Sequence, residues 1–175
     1  DKQGLFAPIL NDDDWLFGGK IDNIHESISA GRQAMMMANK DMLSAAEIDT
    51  LANAIAKGQP TSTPLFAEKG CTACHGEDGK GIQAMGSANL TDKVWRFDSS
   101  VEGIKYTIAY GVNSGDPKAR VAVMPSFKEA GKLSEAEIKK LAVYVYKFGG
   151  GQAEEPVAPA APAASTPATE KKAAK

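Results

Sequence analysis

The five residues Cys71-Thr72-Ala73-Cys74-His75 decide how this chain is read. The spacing C-x-x-C-H is what covalent attachment of a c-type haem requires. Two thiols three positions apart can each add to one vinyl group of the macrocycle. The histidine beside the second thiol is then held under the iron, where an imidazole nitrogen serves as axial ligand. Cys71 and Cys74 are therefore the attachment residues, and His75 the proximal ligand. The competing readings fail on their surroundings. A thioredoxin-like pair belongs at the start of a helix inside a βαβ pattern, and the segment before Cys71 reads as a helix with no β-branched strand ahead of it. A closed zinc site needs four ligands, and the chain has two cysteines and two histidines in all. The second histidine, His25, stands far upstream and reads as a solvated residue on a helix surface.

An iron that carries electrons takes a second axial ligand. Met124 is the candidate, within Arg120-Val121-Ala122-Val123-Met124-Pro125, about fifty residues beyond the motif. Proline disfavours helix for the residue before it, so the thioether is held on extended chain, free to point at the iron instead of filling a helix face. Met85 is its rival.

At 175 residues and 43% hydrophobic, the chain can hold one ordinary domain or two small ones. No apolar run reaches the ~20 residues of a membrane-spanning helix. The first residue is Asp1, which suggests processing or trimming, and the chain as given is expected to be soluble. Residues 1-60 hold five Lys/Arg against nine Asp/Glu, residues 61-150 twelve against ten, and residues 151-175 three against three. Neither of the first two segments carries the basic stripe that nucleic-acid binding demands.

In residues 61-150 the helical signals are clear. Ser62 and Thr63 are placed to cap a helix through Gly70. A second helix covers 99-110, with Val101, Ile104 and Ile108 on one face. A third opens at Ser134-Glu135-Ala136-Glu137 as a capping box, carries Ile138, Leu141, Ala142 and Val145, and ends at Gly149-Gly150. Between the first two, Gly76 to Asn89 is a glycine-rich loop. Three helices and wrapping loops around a haem make a small all-α domain. The tail 150-175, rich in alanine, proline and lysine, cannot bury enough apolar surface to fold and is expected to be disordered.

The front of the chain repeats the back. At a shift of eighty, Leu10, Asp12, Trp15, Phe17, Ile24, Ile28 and Gly31 match Leu90, Asp92, Trp95, Phe97, Ile104, Ile108 and Gly111. At a shift of ninety, Leu43, Ser44, Ala46, Glu47, Ile48, Leu51 and Ala52 match Leu133, Ser134, Ala136, Glu137, Ile138, Leu141 and Ala142. Aligning Lys40 with Lys128 sets Met36 opposite Met124. Residues 1-57 thus read as the later part of a first cytochrome-like unit without its C-x-x-C-H, and 61-149 as a complete unit with one haem. The alternative is that residues 21-57 form two helices packed on the haem domain.

The motif, Asn89-Leu90-Thr91-Asp92 with Trp95, Val123-Met124-Pro125, and Leu133-Ser134 opening a last helix together resemble class I c-type cytochromes. With Asp14-Trp15-Leu16-Phe17-Gly18-Gly19 in the front copy, the chain is similar over roughly residues 4 to 149 to the dihaem subunit of cbb(3)-type haem-copper oxidases, called CcoP or FixP. That resemblance implies the class I cytochrome c fold, thioethers at Cys71 and Cys74, His75 and Met124 as ligands of the second haem, and Met36 as the matching ligand of the first. It implies a subunit on the periplasmic side of the bacterial inner membrane, tethered by an N-terminal helix missing from this chain. Its partners would be oxidase subunits and an upstream cytochrome c or bc complex. Ala88 stands where the family usually has a proline before Asn-Leu, and Met36 lies in Met35-Met36-Met37 with no proline after it.

The chemistry implied is one-electron transfer by haem c, with no catalytic residue and no bond of a substrate made or broken. Methionine sulfur and burial both favour ferrous iron and raise the potential, and six-coordination leaves oxygen no open site. Leu90 and Trp95 are placed to pack on the haem. Tyr106 and Arg120 are partners for its propionates, since a buried carboxylate needs a hydroxyl or cation. Two rival functions are a freestanding periplasmic carrier and a haem-based gas sensor or peroxidase-like enzyme, the latter requiring an iron position that is easily vacated.

Overall fold

Serine caps set the start of three of the longer helices. In the computed structural model, which describes residues 7–12, 14–148 and 151–153, the helices are α1 (Ile21–Ala30), α2 (Ala45–Ala56), α3 (Leu65–Glu68), α4 (Thr72–His75), α5 (Val101–Tyr110) and α6 (Glu135–Phe148). Two short strands, β1 (Arg32–Gln33) and β2 (Val123–Met124), pair antiparallel with Arg32 opposite Met124. Ser44 and Glu47 close a reciprocal capping box at the head of α2. Ser134 and Glu137 do the same for α6, the Ser134 amide donating to Glu137 Oε2 at 2.8 Å and the Glu137 amide to Ser134 Oγ at 3.4 Å. Each box satisfies two amides that a helix start otherwise leaves unpaired. At α5, Ser100 Oγ accepts from the Gly103 amide at 3.0 Å.

One cap expected from the sequence is absent. Ser62 and Thr63 do not cap α3, which opens at Pro64 without a side-chain cap. Two prolines explain this, since each fixes φ and removes an amide. Pro60 starts a 3-10 turn over Pro60–Ser62, and Ser62 Oγ is spent on the Gln59 carbonyl at 2.7 Å. The expected tail 150-175 falls outside the described residues apart from 151–153, as do the Gly149-Gly150 helix stop and residues 1–6.

The helices bury their apolar stripes in two cores. In one, Leu43, Ile48, Leu51, Ala52 and Ile55 of the α2 region meet Phe66 of α3 and Ile104 and Ile108 of α5. In the other, Ile24 and Ile28 of α1 meet Ile138 and Ala142 of α6. The main helix pairs are accordingly α2 with α5 and α1 with α6. His25 is not simply solvated: its Nε2 lies 3.0 Å from Glu135 Oε1, bridging α1 to the head of α6. Lys128 and His25 together hold the Glu135 carboxyl below the usual carboxylate range, Lys128 contributing more.

Between the two cores the chain crosses itself. Beyond the β1–β2 pair, Met36 and Val112 exchange backbone hydrogen bonds, Met36 N to Val112 O at 2.9 Å and Val112 N to Met36 O at 3.0 Å. Two glycines with positive φ let these segments touch. Gly31 (φ 75°) would press a Cβ into the backbone of Met124 to Ser126, and Gly111 (φ 72°) into that of Met36 to Ala38. A side chain at either position would meet both the left-handed backbone penalty and a main-chain clash.

Candidate haem-attachment site

A single turn of helix carries the motif. Cys71 is the N-cap of α4 and Cys74 and His75 lie in it, so the two thiols sit one turn apart on the same face. Both are free thiols, Cys71 half-buried and Cys74 exposed. Burial pushes the Cys71 thiol up from its ordinary value, which keeps it protonated before attachment.

The loop that follows folds back over this turn and grips it with main-chain and hydroxyl bonds. Gly81 N donates to His75 O at 2.8 Å and Leu90 N to Gly79 O at 2.8 Å. Ser87 Oγ donates to Cys74 O and accepts from Ile82 N at 2.9 Å. His75 Nδ1 lies 2.9 Å from Ala88 O. Because a carbonyl can only accept, Nδ1 carries the proton and Nε2 presents its lone pair. Burial lowers the His75 pKa against the opposing pull of the Ala88 carbonyl, so the neutral imidazole, the form that binds a metal, is favoured. The missing proline at position 88 leaves the orienting carbonyl in place.

The residues present therefore fit a covalently held haem: two free thiols on one face, and an imidazole with its outer nitrogen tied and its inner nitrogen free. This is the outer support expected of a metal-ligating histidine. Leu90 and Trp95, together with Cys71, pack against the α2–α3–α5 core, which brings the expected haem-packing residues to the motif. Phe17 reaches over from the front segment to lie against Gly86, next to Met85. Arg32 stands 5.0 Å over the Phe17 ring.

Arg120 and Tyr106 form a group of their own. Arg120 is 2% exposed; its Nε donates to Thr107 Oγ1 at 2.7 Å and its Nη2 to Gly103 O at 3.1 Å. The guanidinium also lies over the rings of Phe97 and Tyr106, at 4.9 and 5.1 Å. Tyr106 donates its hydroxyl to Lys118 O at 2.9 Å. Both side chains thus brace α5 against the segment leading to β2.

The two methionines in question are placed differently. Met124, on β2, is 37% exposed. Met36 is half-buried and packs against the same core as Cys71, Leu90 and Trp95. The supporting hydroxyl of Ser87 was not foreseen from sequence, and a serine in a glycine-rich loop gives no pattern by which to find it.

Comparison with known proteins shows the family likeness. Residues 63–148 match the family model of cytochrome c. The chain is 40% identical over 164 residues to the cbb3-type cytochrome c oxidase subunit FixP of Bradyrhizobium diazoefficiens, covering 83% of this chain and 53% of that one. It is 39% identical over 163 residues to FixP of Azorhizobium caulinodans, with 83% and 52% covered. Against the CcoP subunit of Rhodobacter capsulatus it is 36% identical over 171 residues, with 83% and 54% covered. The chain spans about half the length of the curated relatives it matches.

Proposed function

Since residues 63–148 belong to the cytochrome c family in a FixP- and CcoP-like chain, we propose that it carries single electrons on one haem c, ligated by His75 and a methionine. It would relay them toward the catalytic subunit of a cbb(3)-type oxidase on the periplasmic side of the inner membrane. The observation that carries this reading is the His75 imidazole, fixed by Ala88 O within a C-x-x-C-H turn. When bound, the haem supplies an iron that alternates between Fe(II) and Fe(III).

The protein's part is to hold and to shield. Cys71 and Cys74, both free thiols, would hold the haem through their sulfurs. His75 would offer Nε2 to the iron, its ring held in place by the Ala88 carbonyl. Leu90 and Trp95, packed on the α2–α3–α5 core, would help exclude water from the haem, which disfavours the extra charge of the ferric state. A methionine thioether, the second ligand proposed, would favour the ferrous state in the same way. Electrons enter and leave by contact with redox partners, for which we propose oxidase subunits and an upstream cytochrome c or bc complex.

The test is the absorption spectrum of the purified protein, oxidised and reduced, with haem counted per denatured chain. One covalent haem, with the weak long-wavelength ferric band of sulfur-bound iron, is expected. Ready carbon monoxide binding by the ferrous protein would point to a sensor or peroxidase-like enzyme, and absence of covalent haem would refute the reading.

A further inference from the structure

The loop that orients His75 is braced by an aromatic ring from the front of the chain. Three consecutive residues of that loop have distinct tasks. Gly86, at φ 65°, ends the 3-10 turn Gln83–Met85. Ser87 Oγ donates to Cys74 O, and Ala88 O accepts from His75 Nδ1 at 2.9 Å. At Gly86 the place of a side chain is taken by Phe17, since a Cβ there would collide with Cζ and Cε1 of the ring. We propose that Phe17 is a positioning residue for the haem: pressed on Gly86, it fixes the Gly86–Ala88 backbone and so sets the hydrogen bond by which Ala88 orients the proximal imidazole.

This rests on the haem reading proposed above and deepens it. The loop needs an outside support, because Gly76, Gly79, Gly81 and Gly86 all stand at positive φ, and glycine leaves the backbone its widest freedom. The Phe17 ring can supply that support because its own backbone is anchored elsewhere. Trp15, two residues before it, packs against the α1–α6 core. Gly19, two residues after it, donates its amide to Gln152 Oε1 at 2.8 Å and accepts from Gln152 N at 2.9 Å.

Arg32 steadies the ring from above, 5.0 Å from its centre. The guanidinium is itself tied to α1, Nε donating to Ser27 Oγ at 2.9 Å and Nη2 to Asn23 O at 3.4 Å. The same device occurs at the positions eighty residues on. Arg120 donates to Thr107 Oγ1 and Gly103 O and lies 4.9 Å over Phe97, where Thr107, Gly103 and Phe97 match Ser27, Asn23 and Phe17. The arginine-on-phenylalanine clasp is thus part of the architecture of each repeat, and in the front one the clasped ring bears on the haem loop. A histidine ligand held by a firm outer hydrogen bond keeps both its ring orientation and its basicity, so the front repeat acts on the iron through Phe17, Gly86 and Ala88.

The test uses the full haem-loaded chain and follows, by proton NMR, exchange of the His75 Nδ1 proton with deuterated solvent beside that of the Ile104 and Ile108 amides of α5. Phe17→Ala is expected to speed the His75 proton about tenfold or more while the two amides keep their rates. Phe17→Leu, still apolar but shorter, is expected to give a smaller acceleration in the same direction. Gly86→Ala should speed the His75 proton when Phe17 is present and add little in the Phe17→Ala background, where the new Cβ has room. An unchanged His75 proton in Phe17→Ala and Phe17→Leu would overturn the proposal. So would equal acceleration of all three protons, which marks a merely structural role, or additive effects of the two alanine substitutions. A parent protein without covalent haem overturns the haem reading itself, a result distinct from any variant outcome.

Discussion

Lys69 Nζ lies 2.7 Å from Glu47 Oε1, tying the residue that leads into the haem motif to the capping box at the head of α2. Lys69 first, then the Ser44 amide and hydroxyl, hold the Glu47 carboxyl down at about 2, from an ordinary value of 4.5. A depressed folded-state value contributes stability above the unfolded value and loses it as the carboxyl protonates. The denaturant midpoint is therefore expected to be level above about pH 4.5 and to fall between there and about pH 2, with Glu47→Gln flattening part of that slope. An equal slope in Glu47→Gln would show that other carboxylates govern it.

Ser87 is expected to matter beyond its size. Its hydroxyl serves both Ile82 N and Cys74 O, so Ser87→Ala strands two backbone groups beside the haem motif. The expected cost is about 1–3 kcal/mol in chemical denaturation. The spectrum of the attached haem should stay the same, because the histidine keeps its own carbonyl.

Leu51 is 1% exposed in the core beneath the motif, and Ile138 is fully buried in the other. Truncating either to alanine should cost about 2–5 kcal/mol. Hydrogen exchange separates the two: Leu51→Ala should raise amide exchange in α5, and Ile138→Ala in α1. The reverse pattern would contradict the observed helix pairs.

Gly111→Ala should be among the most damaging single-atom changes in the chain. It forces a side chain into positive φ and into the Met36 carbonyl at once, with a cost of about 1–3 kcal/mol or more. A lowered melting temperature is expected, whereas Gly115→Ala, also at positive φ but in open space, should lose less.

Much of this is legible in the sequence. The capping boxes at Ser44 and Ser134 mark helix starts because a serine and a glutamate three apart satisfy each other's neighbouring amides. The C-x-x-C-H turn announces its chemistry by spacing alone. The start of α3 was misplaced because Pro60 and Pro64 reshape the turn in which Ser62 and Thr63 looked like caps. What periodicity could not reveal is partnership. Ile48 and Ile138 lie on equivalent faces of equivalent helices, so either helix satisfies the same apolar stripe on α5. The choice is made at the crossing, by Gly31, Gly111 and Asn113. Asn113 sits at positive φ with its amide donating to both Ala34 O and Ala122 O, at 2.7 and 2.9 Å.

That crossing makes the chain a pair of clasped hands. Proteolysis between residues 57 and 61 would yield two fragments that stay bound to each other, each holding half of both cores. Neither sequence half can be shuffled, lost or replaced as a module, because each is the other's wall.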